Sequence, residues 1–182
     1  MSTIPTIQTE RLILRAFTPA DEAPLHAIVS KLEVLRYFPR TKPWPLEQLQ
    51  RWMASQFTHW AEHGFGWFAV EERATRQLMG WCGLRTLEES GEVEVLYLYD
   101  EPFWGKGLGT EAARRTVADG FTAYGLPEII GLTLPGNIAS QRVLEKAGLV
   151  FVGEEDYFGV TCNKFTLNQA GFQLLKQESI LK

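Results

Sequence analysis

The sequence predicts an α+β domain built in the order strand, two helices, three strands, helix, strand, helix, two strands and a helical tail. Three observations carry that prediction. Several short runs alternate apolar and polar residues as strands do, and longer runs repeat apolar residues at helical spacing. One helical run also stands between two strand-like runs, so that pair of strands must be parallel. With 182 residues, 45% of them hydrophobic and 22% charged, the chain fits one domain over 1–182 with an ordinary core.

The elements follow in order. "ERLILRAF" opens as a strand around Leu12, Ile13 and Leu14. In "TPADEAPLHAIVS" Thr18 is a cap, Pro19 stands just inside and acids fill the first turn, so a helix runs to about Ser30. After the "KPWP" break, Leu46, Leu49, Met53, Phe57 and Trp60 recur at helical spacing, a stripe read as core, and Gly64 stops the helix. "FGWFAVEE", "QLMGWCGLRTL" and "EVEVLYLYD" are strands joined by turn-rich or charged segments, the pattern of an antiparallel meander. "TEAARRTVADGFTAYG" is a helix closed at Gly125, and "EIIGLTL" a short strand. "PGNIASQRVLEKAGL" is a short helix with Asn137 at its start and Gly148 at its end. "VFVGEEDYF" and "VTCNKFTLN" are the last strands.

Between the third meander strand and its helix lies "FWGKGLGTEAARR", with Gly105, Gly107 and Gly109 on alternate positions. Removing every second side chain lets successive backbone N–H groups point into one volume, and the amides that open a helix lack intrahelical partners. Such a turn is an anion site. It is not a Walker loop, because Lys106 lies between glycines, nor a dinucleotide fingerprint, because Thr110 stands where a glycine is needed. Taken alone, the glycine cluster is equally compatible with an empty tight turn.

Composition narrows the partners. A net charge of −4 and a pI near 5.5 argue against nucleic acid and mildly favour a cationic substrate. Cys82 and Cys162 are too few for a disulfide framework and have no histidine nearby in sequence, so they read as small buried hydrophobes. No run is long enough to span a bilayer and no targeting signal opens the chain, so a reducing cytoplasm is expected. His26, His59 and His63 have no metal-ligand spacing and read as surface or packing residues.

Three segments taken together, "TERLILRAFTPAD", "EVEVLYLYDEPFWGKGLGTEA" and "NIASQRVLEKAGL", resemble the successive signatures of the GNAT acetyltransferases, and within them the branch of ribosomal-protein amino-terminal (RimJ/RimL-like) acetyltransferases. The match runs in order from about Thr9 to Leu167. The resemblance implies a curved, mostly antiparallel sheet of about six to seven strands, splayed beside the glycine loop, and transfer of an acetyl group from acetyl-CoA to a primary amine by direct attack in a ternary complex. It implies that the pyrophosphate of the cofactor sits on the amides of Gly105, Lys106, Gly107, Leu108, Gly109 and Thr110, with Trp104 at the loop's entry. The pantetheine arm pairs like an extra strand with Leu96, Tyr97 and Leu98, where the amide of Tyr97 or Leu98 faces the thioester carbonyl. Asn137 matches the family asparagine that reaches the pantetheine; read from its position alone it is a helix cap, and the two roles can coexist.

An attacking amine must lose a proton, so a general base is expected, and Glu94 matches a glutamate that recurs in this branch and would stand near the acceptor, reaching it directly or through water. Read alone, it is a strand carboxylate alternating with Val93 and Val95. Glu92, Glu154, Glu155 and Asp156 are the alternative acids. Many relatives have a tyrosine seven residues past the asparagine to protonate the thiolate. This chain has Leu144 there, and Ser140 is the expected donor, although by position it is also a capping serine. Leu96 stands where the branch often has glycine, which narrows the acceptor end. Around it "RYFPRTKPWP" and "EEDYFGVTCNK" bring Tyr37, Phe38, Trp44, Asp156, Tyr157 and Phe158, a mix suited to a cation or to lid packing. The partner implied is an amine, a protein N-terminus or a small cationic compound, with no membrane and with a homodimer as a candidate assembly. Two rivals stay open: an inactive acyl-CoA-binding sensor or partner-binding module, and a phosphate-binding enzyme of other chemistry resting on the loop alone.

Overall fold

A computed structural model describes residues 4–38 and 41–180. Eight strands form one sheet: β1 Ile7–Gln8, β2 Leu12–Arg15, β3 Trp67–Glu72, β4 Leu78–Thr86, β5 Val93–Tyr99, β6 Glu128–Thr133, β7 Val150–Tyr157 and β8 Val160–Asn168. Their order is β1-β2-β3-β4-β5-β6-β8-β7. The eighth strand beyond the expected six to seven is β1, whose two residues are too few for any alternation to register. Leu12, Ile13 and Leu14 are all buried, because β2 lies inside the sheet between β1 and β3 and has no solvent face along that run.

The helices are α1 Glu22–Val29, α2 Leu32–Leu35, α3 Leu46–His63, α4 Leu108–Thr122, α5 Ile138–Lys146 and α6 Gln169–Ile180. The helix expected from Thr18 begins as a 3-10 turn over Pro19–Asp21, in which Asp21 accepts from the amide and hydroxyl of Thr18. α2 was not anticipated, one turn being too short for a periodic signal. On α3 the buried face is Leu49, Met53, Gln56 and Trp60, whereas Leu46 and Phe57 are exposed. The expected stripe therefore holds at Leu49, Met53 and Trp60 and departs at Leu46, on the first turn, and at Phe57, whose place in the buried face Gln56 takes.

Every neighbouring pair of strands is antiparallel except β5 and β6, which α4 joins as a crossover. That parallel pair is registered at one point only, Glu94 opposite Ile130. Beyond Glu94 the two strands part, so the sheet opens into a cleft between Leu96–Tyr99 and the end of β6.

A core lies on each face. Beneath α4, Val95 and Tyr99 of β5 pack with Leu84, Val117 and Phe165. On the other face Leu98 packs with Trp67 and Trp81 under α1–α3, where Trp52 lies 4.5 Å from Trp81 and 5.6 Å from Trp67, ring to ring. Because side chains alternate along a strand, Glu94 and Leu96 share the face of Leu98, and Tyr97 shares that of Val95 and Tyr99.

Candidate active site

The glycine loop follows from local chemistry. Gly105 and Gly107 adopt left-handed backbone, φ 72° and 76°, a region that a side chain with a Cβ occupies at a cost of about 1–2 kcal/mol. Gly109 has ordinary φ and serves another purpose: a Cβ there would meet the Tyr99 ring at 3.1 Å. Gly107 is the N-cap of α4, so the amides of Leu108, Gly109 and Thr110 open the helix without intrahelical carbonyls to reach.

A distant segment fixes this loop. Arg11 donates from Nη1 to the carbonyl of Lys106 (2.9 Å) and from Nε to Glu111 (2.7 Å), and its backbone N–H also reaches Glu111 (2.8 Å). Thr9 gives its hydroxyl hydrogen to the same carboxylate at 2.6 Å. Burial pushes the Glu111 carboxyl upward, but the bonds from Thr9 and Arg11 outweigh it and hold the group below its usual range.

The loop forms one end of a groove of about 440 Å³. Of the residues expected to hold the cofactor, Tyr97, Leu98, Trp104, Gly105, Gly107, Gly109, Thr110, Asn137 and Ser140 line it. Leu108 instead turns its side chain into the core, and Lys106 places its ammonium 5.8 Å over the Phe103 ring, outside the lining. Both keep a backbone position in the loop. Among the described residues, Arg36, Arg142 and Lys146, which no motif pointed to, bring three cations to the walls against one acid, Glu33, which pairs with Arg36 at 3.0 Å. Such a groove suits an elongated anion, and its residues fit a nucleotide-bearing cofactor.

The other arm of the cleft is a cavity of about 100 Å³. Among the described residues, Glu94 is the one charged group in its wall, and Leu96 is there too, filling space that a glycine would leave. Glu94 is only 4% exposed. Burial pushes its carboxyl up to about 8, against the opposing pull of Arg85, its cross-strand neighbour on β4, and of the Leu132 backbone. A carboxyl held at about 8 in a largely apolar cavity is equipped, once ionised, to accept a proton.

The two arms share Tyr37, Phe38, Tyr97, Asn137 and Ser140. Asn137 caps α5 by accepting from the Ser140 amide at 3.2 Å, so its capping role is present alongside its place in the groove. Ser140 is not the cap. Its hydroxyl lies 2.9 Å from that of Tyr97, which also donates to the Ser140 carbonyl at 3.1 Å. The Tyr97 side chain escaped the sequence reading, which used only its backbone. Burial holds the Tyr97 hydroxyl protonated, well above its usual range. Leu144 is buried against Gly131, where a Cβ would come within 2.5 Å of it, so it is a core residue in the place of a donor.

The other acids lie elsewhere. Glu92 and Glu155 both pair with Lys164 (2.7 and 2.8 Å), Tyr157 donates to Glu92 (2.7 Å), and Asp156 accepts from Thr161 (2.8 Å). Glu154 is exposed on β7. None of the four lines the cavity. Trp44 belongs to the aromatic core with Trp52 and Trp81, whereas Tyr37, Phe38 and Phe158 reach the cavity; Pro39 and Arg40 of that loop lie outside the described residues. Cys162 also lines it, while Cys82 is in the core. His59 and His63 stack at 4.4 Å on α3, and burial pulls His59 down to about 4. Among the described residues no cluster could hold a metal ion and no helix is long and apolar enough to cross a membrane.

A mostly antiparallel sheet, split beside an anion loop that opens a crossover helix, defines the class of acetyl-group transferases with the GNAT fold. The chain belongs to that family, the Acetyltransferase (GNAT) domain, whose model matches residues 11–150. Its members transfer acetyl groups from acetyl-CoA to amines. An uncharacterised N-acetyltransferase of Bacillus subtilis, YoaA, is 32% identical over 146 residues, covering 79% of this chain and 82% of the relative. A solved acetyltransferase from Agrobacterium tumefaciens shares the fold with a TM-score of 0.82 at 22% identity, over 93% of this chain and 97% of that one. Spermidine N-acetyltransferase from Vibrio cholerae, solved with CoA and spermine, does so with a TM-score of 0.73 at 19% identity, over 91% and 99%.

Proposed function

We propose that this chain is an acetyl-CoA-dependent N-acetyltransferase acting by direct transfer, with Glu94 as the base and Ser140 as the proton donor. The observation that carries the reading is the placement of these two groups. Glu94 reaches the split from the α1–α3 face and the Ser140–Tyr97 pair from the α4 face, so a reacting centre between them has a proton acceptor on one side and a donor on the other.

When bound, the cofactor supplies a thioester as acetyl donor. The loop amides of residues 105–110 hold its pyrophosphate, Arg36, Arg142 and Lys146 offer further counter-charge, and the freed edge of β5 receives its amide-rich arm. The amide of Tyr97 or Leu98 meets the charge that develops on the carbonyl oxygen. Glu94 takes a proton from the incoming ammonium. The neutral nitrogen then attacks the carbonyl carbon, forming the new C–N bond as the C–S bond breaks; it sheds its second proton to the Ser140 hydroxyl, which Tyr97 orients, as that hydroxyl passes its own proton to the thiolate. No acetylated side chain is required: the nearer thiol, Cys162, is held protonated by burial together with the charges of Glu94 and Asp156. Ser140 at the donor place, with Leu144 where a tyrosine would stand, supports the amino-terminal acetyltransferase branch.

The test is free CoA released from acetyl-CoA across a panel of amines, with acetyl-CoA binding followed by calorimetry. Amine-dependent release is expected. Tight binding without release from any amine favours the inactive acyl-CoA-binding module instead.

A further inference from the structure

We infer that the acceptor is a small amine carrying one positive charge on a short apolar body, gripped by Phe158, and not a polycation. The inference rests on the transferase reading above and names the substrate class of that site.

The cavity at Glu94 has about 100 Å³ and its wall is apolar except at a few points. Among the described residues it offers one carboxylate, and a buried ammonium without a partner is strongly disfavoured. Several ammonium groups on one acceptor would need several acids. Of the other acids, Glu92 and Glu155 are already bound to Lys164, Asp156 is turned to Thr161, and Glu154 is exposed on β7 outside the cavity wall. A single ammonium is provided for. Thr133, 4% exposed, lines the same cavity, and its buried hydroxyl has no hydrogen-bond partner among the described residues, so it is free to accept an N–H that comes within reach.

Phe158 supplies the independent observation. It sits with Gly159 at the tip of the β7–β8 hairpin, and both have positive φ, 56° and 76°. A two-residue turn of that shape favours Asn-Gly, and a bulky ring there is an outlier. Half-exposed at 50%, the ring gains little from burial, yet it lines the cavity. Strain kept at a cavity mouth points to contact with what enters.

The test compares kcat/KM at saturating acetyl-CoA for ethylamine, propylamine and butylamine with that for spermidine and kanamycin, in the wild type and in Phe158→Asn. Each added methylene is expected to raise kcat/KM about fourfold until the cavity fills, with butylamine at least about tenfold ahead of both polycations. Phe158→Asn should keep or raise the thermal midpoint, since the turn then suits its sequence, while flattening the chain-length series. An alanine-initiated tetrapeptide is the second control: butylamine ahead of it supports the inference, and the peptide ahead of every monoamine overturns it in favour of a chain end. Spermidine or kanamycin ahead of the monoamines overturns it and leaves the transferase standing, as does an unchanged series in a well-folded Phe158→Asn. No release with any amine overturns both readings.

Discussion

The two arms of the cleft are built on opposite plans. The cofactor arm is open, about 440 Å³, and works through backbone amides and cations scattered along its walls. The acceptor arm is a quarter of that size and largely apolar, with one carboxylate among the described residues, whose affinity for protons is raised by burial. The first is suited to an anion through backbone geometry shared among several groups; the proposed role of the second rests on the protonation of a single group. Their sensitivity to substitution and to pH should differ accordingly.

The largest expected effect is in the acceptor arm. Glu94→Gln keeps the shape and removes the proton acceptor, so kcat should fall roughly 10²–10⁴-fold, with little change in acetyl-CoA affinity. Stability should move the other way. A carboxyl at about 8 in the fold and at its ordinary 4.5 when unfolded leaves the native state holding the extra proton between those values. Wild-type stability is then full below about pH 4.5 and falls as pH rises towards 8. Thermal melts from pH 4 to 9 should show this decline in the wild type and its absence in Glu94→Gln.

In the cofactor arm Gly107→Val should weaken acetyl-CoA binding at least about tenfold, from the cost of forcing a β-branched residue to positive φ in a loop that must present its amides. Calorimetry checks this, and normal binding would mean that the anion sits elsewhere. Arg11→Ala should cost less, roughly two- to fivefold in KM for acetyl-CoA with the acceptor KM unchanged, because it loosens the Lys106 carbonyl without altering the loop sequence.

How far each arm can be read from sequence follows from the range of its contacts. The anion loop and the Asn137–Ser140 cap are local, and glycine spacing or a three-residue offset is enough to find them. Arg11 meets the loop across 95 positions and Tyr97 meets Ser140 across 43, so nothing in their neighbourhoods signals the pairing. Glu94 alternates with valines like any strand carboxylate; only segments distant in sequence, which bring Phe38, Leu132, Phe158 and Cys162 to the same cavity, show it to be buried. Phe158 looks like ordinary hairpin sequence until its backbone angle is seen. Gln56 buried beside an exposed Phe57 shows the same limit inside the fold, where the period is local and the phase is set by packing.

The smallest effect should come at the shared junction. A thiol of pKa about 8.5 leaves readily without an acid, so Ser140→Ala is expected to lower kcat only several-fold. Tyr97→Phe should do no more than Ser140→Ala if it acts through that serine, and the double variant should match the serine variant. Equal and additive losses would make them independent donors.

The pH profile of kcat/KM for a turned-over amine, compared between wild type and Glu94→Gln, tests the role of Glu94 most directly. In the wild type the rate should rise through an ionisation near 8, where Glu94 loses its proton, and go on rising towards the amine's own pKa of about 10. In Glu94→Gln the lower limb should vanish and the deficit should shrink at high pH, where the amine arrives neutral. Wild-type turnover at neutral pH with an unaltered profile in Glu94→Gln would contradict the account and reduce Glu94 to a buried strand carboxyl.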